Sequence, residues 1–115
     1  MIVINPNLTN GTLGAAASPY PSIIEVTNLG TMLVNAAVTL TNLTDQSIYD
    51  LGVLVVSPTT NTLLMGHVSA QGTIVKNITL TFDDRATNSL PVGVSTAPVT
   101  STNKPTQKYP MVNFP

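Results

Sequence analysis

The chain has no cysteine and no tryptophan, and only 8% of its 115 residues are Asp, Glu, Lys or Arg. The lack of Cys removes disulfide staples, thiolate metal sites and Cys nucleophiles together. The lack of charge is the larger anomaly, since an ordinary soluble domain carries about 25% charged residues. The four bases (Lys76, Arg85, Lys104, Lys108) and five acids (Glu25, Asp45, Asp50, Asp83, Asp84) are scattered. No basic stripe therefore exists for nucleic acid or an anionic membrane. No apolar run approaches the roughly 18 residues of a membrane span, and Met1 to Pro6 lack the basic and apolar regions of a signal peptide. The expectation is a chain of cytosolic origin, or one whose signal has been trimmed.

What replaces charge is Thr, Asn and Ser, with nine Pro and 43% apolar residues. Charge normally keeps a free monomer dispersed, so a surface of uncharged polar groups points to faces that pack against other subunits. A secreted domain with a Thr/Asn surface is the plainer alternative. The length suits a single domain with one core.

Residues 1–22 read as an arm. Asn5-Pro6-Asn7, Asn10-Gly11 and Ser18-Pro19-Tyr20-Pro21 carry turn signals without sustained alternation. Its head, Ile2-Val3-Ile4, is apolar and is expected either to pair as an edge strand of its own domain, the preferred reading, or to add to a sheet edge of a neighbour. From Ile23 the pattern is strand after strand with a period of two, beginning with Ile23-Ile24-Glu25-Val26 and a break at Asn28-Leu29-Gly30. Val34, Ala36, Val38, Leu40 and Asn42 share one face of a half-buried strand, with Asn35, Ala37, Thr39, Thr41 and Leu43 on the other. Leu51 to Val56 is an unbroken apolar run that ends at Ser57-Pro58 and reads as the central strand of the core. Thr59-Thr60-Asn61 turns the chain into Leu63-Leu64-Met65, a hairpin, and Ser69 to Gly72 turns it again. Ile74, Lys76, Ile78, Leu80 and Phe82 then alternate with Val75, Asn77, Thr79 and Thr81 up to Asp83-Asp84. Val92-Gly93-Val94 is a weaker edge candidate. Residues 101–115 form a Pro-punctuated tail that cannot be a central strand. No helical periodicity is sustained anywhere. The fold is expected to be all-β: a jelly-roll-like antiparallel sandwich over 23–100, with an N-terminal arm and a C-terminal tail.

Catalytic constellations are not found. The one histidine, His67, has no Cys and no second His to build a Zn site with. No Ser or Thr sits in a nucleophile motif, and no Gly-rich phosphate loop appears. Asp83-Asp84, closing a strand, are candidate hard oxygen ligands for Ca²⁺, with Asp50 a third; the competing role is capping a turn through side-chain to backbone bonds. No cofactor is otherwise expected. Four sequons, at Asn7, Asn10, Asn42 and Asn77, would accept glycans only in a secretory compartment and read as by-products of a Thr/Asn-rich chain.

The run Asp50 to Thr59, then Leu63-Leu64-Met65, then Asn77-Ile78-Thr79-Leu80-Thr81-Phe82-Asp83-Asp84-Arg85-Ala86 resembles the P-domain of proprotein convertases. It is closer still to P-domain-like modules of secreted bacterial, especially cyanobacterial, proteins. The likeness reaches from Tyr20-Pro21-Ser22 to Phe114-Pro115, about 95 residues. It implies a jelly-roll sandwich and an ancillary, non-catalytic role beside other domains. The acidic cluster frequent in such modules is thinned here, with Tyr49 and Gly52 beside the remaining Asp50.

A lone module with arms and little charge is expected to be no enzyme but a building block. The leading expectation is a virion structural component, such as a bacteriophage capsid decoration (cement) protein, assembled in the host cytoplasm. Its partners would be the major capsid protein and further copies of itself, with no nucleic acid and no membrane. The contact residues expected are Ile2, Val3, Ile4, Val112 and Phe114. The alternatives are a carbohydrate- or cell-surface-binding module, Ca²⁺-assisted and extracellular, or an enzyme-accessory P-domain. The scarcity of aromatics weighs against a sugar platform.

Overall fold

The computed structural model describes residues 2–5, 23–25, 36–58 and 60–105, with residues 2–5 described through their backbone pairing. It contains strands β1 (Ile2–Asn5), β2 (Ala37–Asp45), β3 (Gly52–Val56), β4 (Asn61–Met65), β5 (Val75–Asp83) and β6 (Ser101–Asn103), with one 3₁₀ turn, Ile48–Asp50, between β2 and β3. They form two three-stranded sheets, ordered β1-β3-β4 and β2-β5-β6. The all-β reading holds.

The apolar run of β3 lies between β1 and β4, as a strand without a polar face should. It pairs antiparallel with β4 through a turn closed by Ser57, whose N–H and hydroxyl both donate to the Thr60 carbonyl at 2.9 and 2.8 Å. On its other side Ile2 pairs with Val55 and Asn5 with Gly52, antiparallel. The head of the segment read as an arm is thus a strand of its own domain. In the second sheet β5 is central, antiparallel to β2 and parallel to β6. The parallel pair departs from the antiparallel expectation. Residues 84–100 carry the chain back from the end of β5 to the level of Leu80, where Ser101 begins β6, and parallel strands need a crossover of that kind. β6 falls in the stretch read as tail and occupies a sheet edge among the described residues.

Both sheets contribute to one core: Val53, Leu64 and Met65 from the first, Val75, Leu80 and Phe82 from the second, with Ile48, Leu51, Val68 and Leu90 from the connections. The alternation in β2 and β5 is not continuous. Leu40 pairs with Leu80, Leu43 with Ile78 and Asp45 with Val75, so one extra residue bulges from β2 and then one from β5. Asn42 and Asn77 mark the bulges, each at φ 53°, a left-handed conformation that Asn tolerates better than most residues. Each bulge reverses which parity faces inward. Leu43, expected opposite Leu40's face, packs on the same core. Ile74, expected with Leu80 and Phe82, is 65% exposed, while Val75 is buried. The two Asn-x-Thr segments lie side by side: Asn77 N–H donates to Thr44 Oγ1 at 3.0 Å and Thr44 Oγ1 donates to Asn77 Oδ1 at 3.3 Å.

A second irregular region joins β4 to β5. His67 and Ser69 are buried with φ 52° and 63°. Ser69 is held by three bonds: its N–H donates to the Pro91 carbonyl (2.7 Å), its carbonyl accepts from Gly93 N–H (2.9 Å), and its hydroxyl donates to the Thr96 carbonyl (2.7 Å). The weak Val92 segment pairs here, as a parallel bridge to Ser69. The following turn closes with Thr73 N–H on the Ala70 carbonyl, and Gly72 at φ 78° supplies the left-handed residue of a type II turn.

Candidate functional site

Asp50 sits in the 3₁₀ turn and lines a surface depression with Asp45, Lys76 and the exposed Ile74. Asp83 and Asp84 lie at the far end of β5, roughly 26 Å away along a strand of nine residues at about 3.3 Å each. The strand keeps Asp50 apart from this pair. Asp83 Oδ1 accepts from Arg85 N–H at 2.9 Å and from Arg85 Nε at 3.5 Å, and its carbonyl accepts from Ala86 N–H. These bonds cap the turn, the alternative role considered for the pair. Asp84 is exposed and borders a different hollow. Among the described residues, no group of three or more His, Asp or Glu is gathered as a metal would need.

His67 packs its ring against Tyr49, centroids 4.7 Å apart and planes tilted by 45°, and is 5% exposed. It lines none of the three surface hollows described. Ser69, two residues on, is fully buried with its hydroxyl proton directed at Thr96. Ser69 likewise lines none of the three hollows. One hollow, of about 420 Å³, lies between residues 88–91 and 96–103 and is lined by Leu90, Pro91, Pro98, Val99 and Asn103. Another, of about 210 Å³, opens between the sheets, with Val55 and Leu64 on one side and Ala36, Val38 and Phe82 on the other.

The surface offers apolar groups instead of reactive ones. Ile23, Ile24, Ile74, Val94 and Val99 are 71%, 57%, 65%, 47% and 70% exposed. None of the five lies within a strand: Ile23 and Ile24, expected to begin one, are irregular, and the inward facing expected of Ile74 fails because of the bulge at Asn77. Of the contact residues expected from sequence, Ile2, Val3 and Ile4 are in β1, and Val112 and Phe114 lie outside the described residues. A scan against family models and searches of curated proteins and of solved structures find no match to this chain.

Proposed function

We propose that the chain is a non-catalytic structural and interaction protein that packs against other protein subunits, and specifically a virion surface component of the decoration or cement type, seated on a major capsid protein. The observation that carries this reading is the pairing of exposed Ile and Val side chains with a chain holding only nine charged residues. Isolated surface apolar residues are ordinary, but with few charges to disperse the molecule they favour association. The P-domain-like pattern supports the same reading, since such modules serve as ancillary packing units. β1 contributes through its place in the first sheet, not as a free hook, so deleting it is a poor test: that would expose β3.

The test leaves the strands intact. Light scattering across a concentration series, with and without Ca²⁺, compares the wild type with the double variant Ile74→Lys, Val99→Lys. Burying one such side chain is worth about 1.5 kcal/mol or more, so losing two weakens association by about a hundredfold. Circular dichroism should stay unchanged because both positions are exposed. A wild type that remains a 12.0 kDa monomer at every concentration overturns the reading.

A further inference from the structure

Among the described residues β2 is an edge strand of the second sheet: β5 covers one side and nothing pairs with the other. Edge strands are usually protected by charge, proline or brevity. β2 is nine residues long and has neither Pro, Lys nor Arg; its one charge, Asp45, is its last residue. Its bulge at Asn42 limits the regular part to Ala37–Thr41. In that part Val38 and Leu40 face the core yet are only half buried, because the sheet stops there. Ala37, Thr39 and Thr41 are exposed on the other face.

We infer that Ala37–Thr41 is a self-pairing edge, adding antiparallel to the same segment of a second copy about a two-fold axis at Thr39. This rests on the association reading above and names its partner. The β2–β5 ladder shows the chemistry already at work. Val38-Thr39-Leu40 lies antiparallel to Leu80-Thr81-Phe82, a segment of the same apolar-Thr-apolar pattern, with Leu40 opposite Leu80, Val38 opposite Phe82 and Thr39 opposite Thr81, the two Thr hydroxyls 3.0 Å apart. Pairing about Thr39 sets Val38 against Leu40 of the second copy on the inner face, and Ala37 against Thr41 on the outer face. Apolar side chains thus meet on the inner face and small exposed ones on the outer, so each face keeps its character, as register demands. The inner pairs continue the apolar face beyond the present edge, where the hollow bordered by Ala36 and Val38 opens. Charge favours this register as well. No charged residue lies within it, and the two copies of Asp45 fall at opposite ends. The product is a continuous sheet of two three-stranded halves.

The absence of Cys makes the test direct. Directly opposed residues of an antiparallel pair have Cα atoms about 4.5–5.5 Å apart, within disulfide reach. Thr39→Cys should cross-link to a dimer under mild oxidation, reversed by reductant. Thr102→Cys, equally exposed on β6 at the opposite edge, should stay monomeric on a non-reducing gel. Thr39→Lys, which sets two ammonium groups against each other at the axis, should weaken association roughly tenfold by light scattering without changing the melting temperature by more than a degree or so. If Thr39→Cys cross-links no more than Thr102→Cys, and Thr39→Lys associates like the wild type, the β2 edge is not the interface, while the association reading stands. A wild type that is monomeric throughout overturns both. Association abolished by Thr39→Lys and untouched by Ile74→Lys, Val99→Lys keeps the edge and rejects the apolar patches.

Discussion

Asn77 offers a test in which the order of two variants matters more than their size. It lies inside a nine-residue strand but has φ 53°. For an L-residue the left-handed conformation costs about 1–2 kcal/mol; Gly does not bear this cost, and Asn bears it in part. Asn77→Gly removes the strain and gives up only an exposed 3.3 Å bond from the Thr44 hydroxyl. It also adds about 0.5–1 kcal/mol of backbone entropy to be lost on folding. These nearly cancel, and the variant should lie within about 0.5 kcal/mol of the wild type. Asn77→Val forces a β-branched side chain into the left-handed region and should lose about 2 kcal/mol. At a regular strand position the order is the reverse, Val exceeding Gly by up to about 1 kcal/mol. Urea unfolding with equal m-values measures the difference; by temperature the Val variant should melt about 8 °C or more below the Gly variant. Both substitutions delete the sequon, so glycosylation cannot confound the comparison. If Val proves as stable as Gly, Asn77 is ordinary extended strand and the bulge is wrong.

Phe82, 1% exposed between the sheets, should cost about 3–5 kcal/mol as Phe82→Ala, a large share of the roughly 5–15 kcal/mol that holds a domain together; calorimetry showing a loss below about 1 kcal/mol would displace it from the core. Ser69→Ala removes the 2.7 Å bond to the Thr96 carbonyl at a fully buried site and should cost about 1–3 kcal/mol. Ser69→Gly loses the same bond but relieves φ 63°, so it should be the milder of the two in urea unfolding.

Strand identity was legible because it rests on local pattern. The apolar run Leu51–Val56 could only be a strand covered on both sides, and Ser57-Pro58 marked its end. The alternation of Leu80 and Phe82 with Thr79 and Thr81 likewise survives in β5. Facing was misread wherever a bulge intervened. Periodicity assumes one residue per step, and Asn42 and Asn77 each insert an extra one, moving Leu43 inward and Ile74 outward. Their sequons, read as by-products of composition, have a conformational reason: Asn accepts the left-handed turn, and Thr44 Oγ1 bonds its partner bulge. Pairing partners were less visible. Nothing near Ile2 announces Val55, and the β5–β6 parallel pair depends on a crossover without helix or repeat. For the same reason β2 could be recognised as a strand but not as an edge.

The order of the strands along the chain sets a schedule for folding. Among the described strands, β3–β4 and β5–β6 join neighbours in sequence; β1 waits for β3, with Ile2 opposite Val55, and β2 waits for β5, with Ala37 opposite Asp83. Ladders closing loops of this length fold on the slow side, in about milliseconds to seconds. During synthesis at about 5–20 residues per second, Ile2 leaves the ribosome several seconds before its partner strand exists. Throughout that interval an apolar segment with open backbone groups is available to any other extended chain. A sheet that uses its first-made strand to cover its most apolar one therefore exchanges a vulnerable nascent state for a protected finished one.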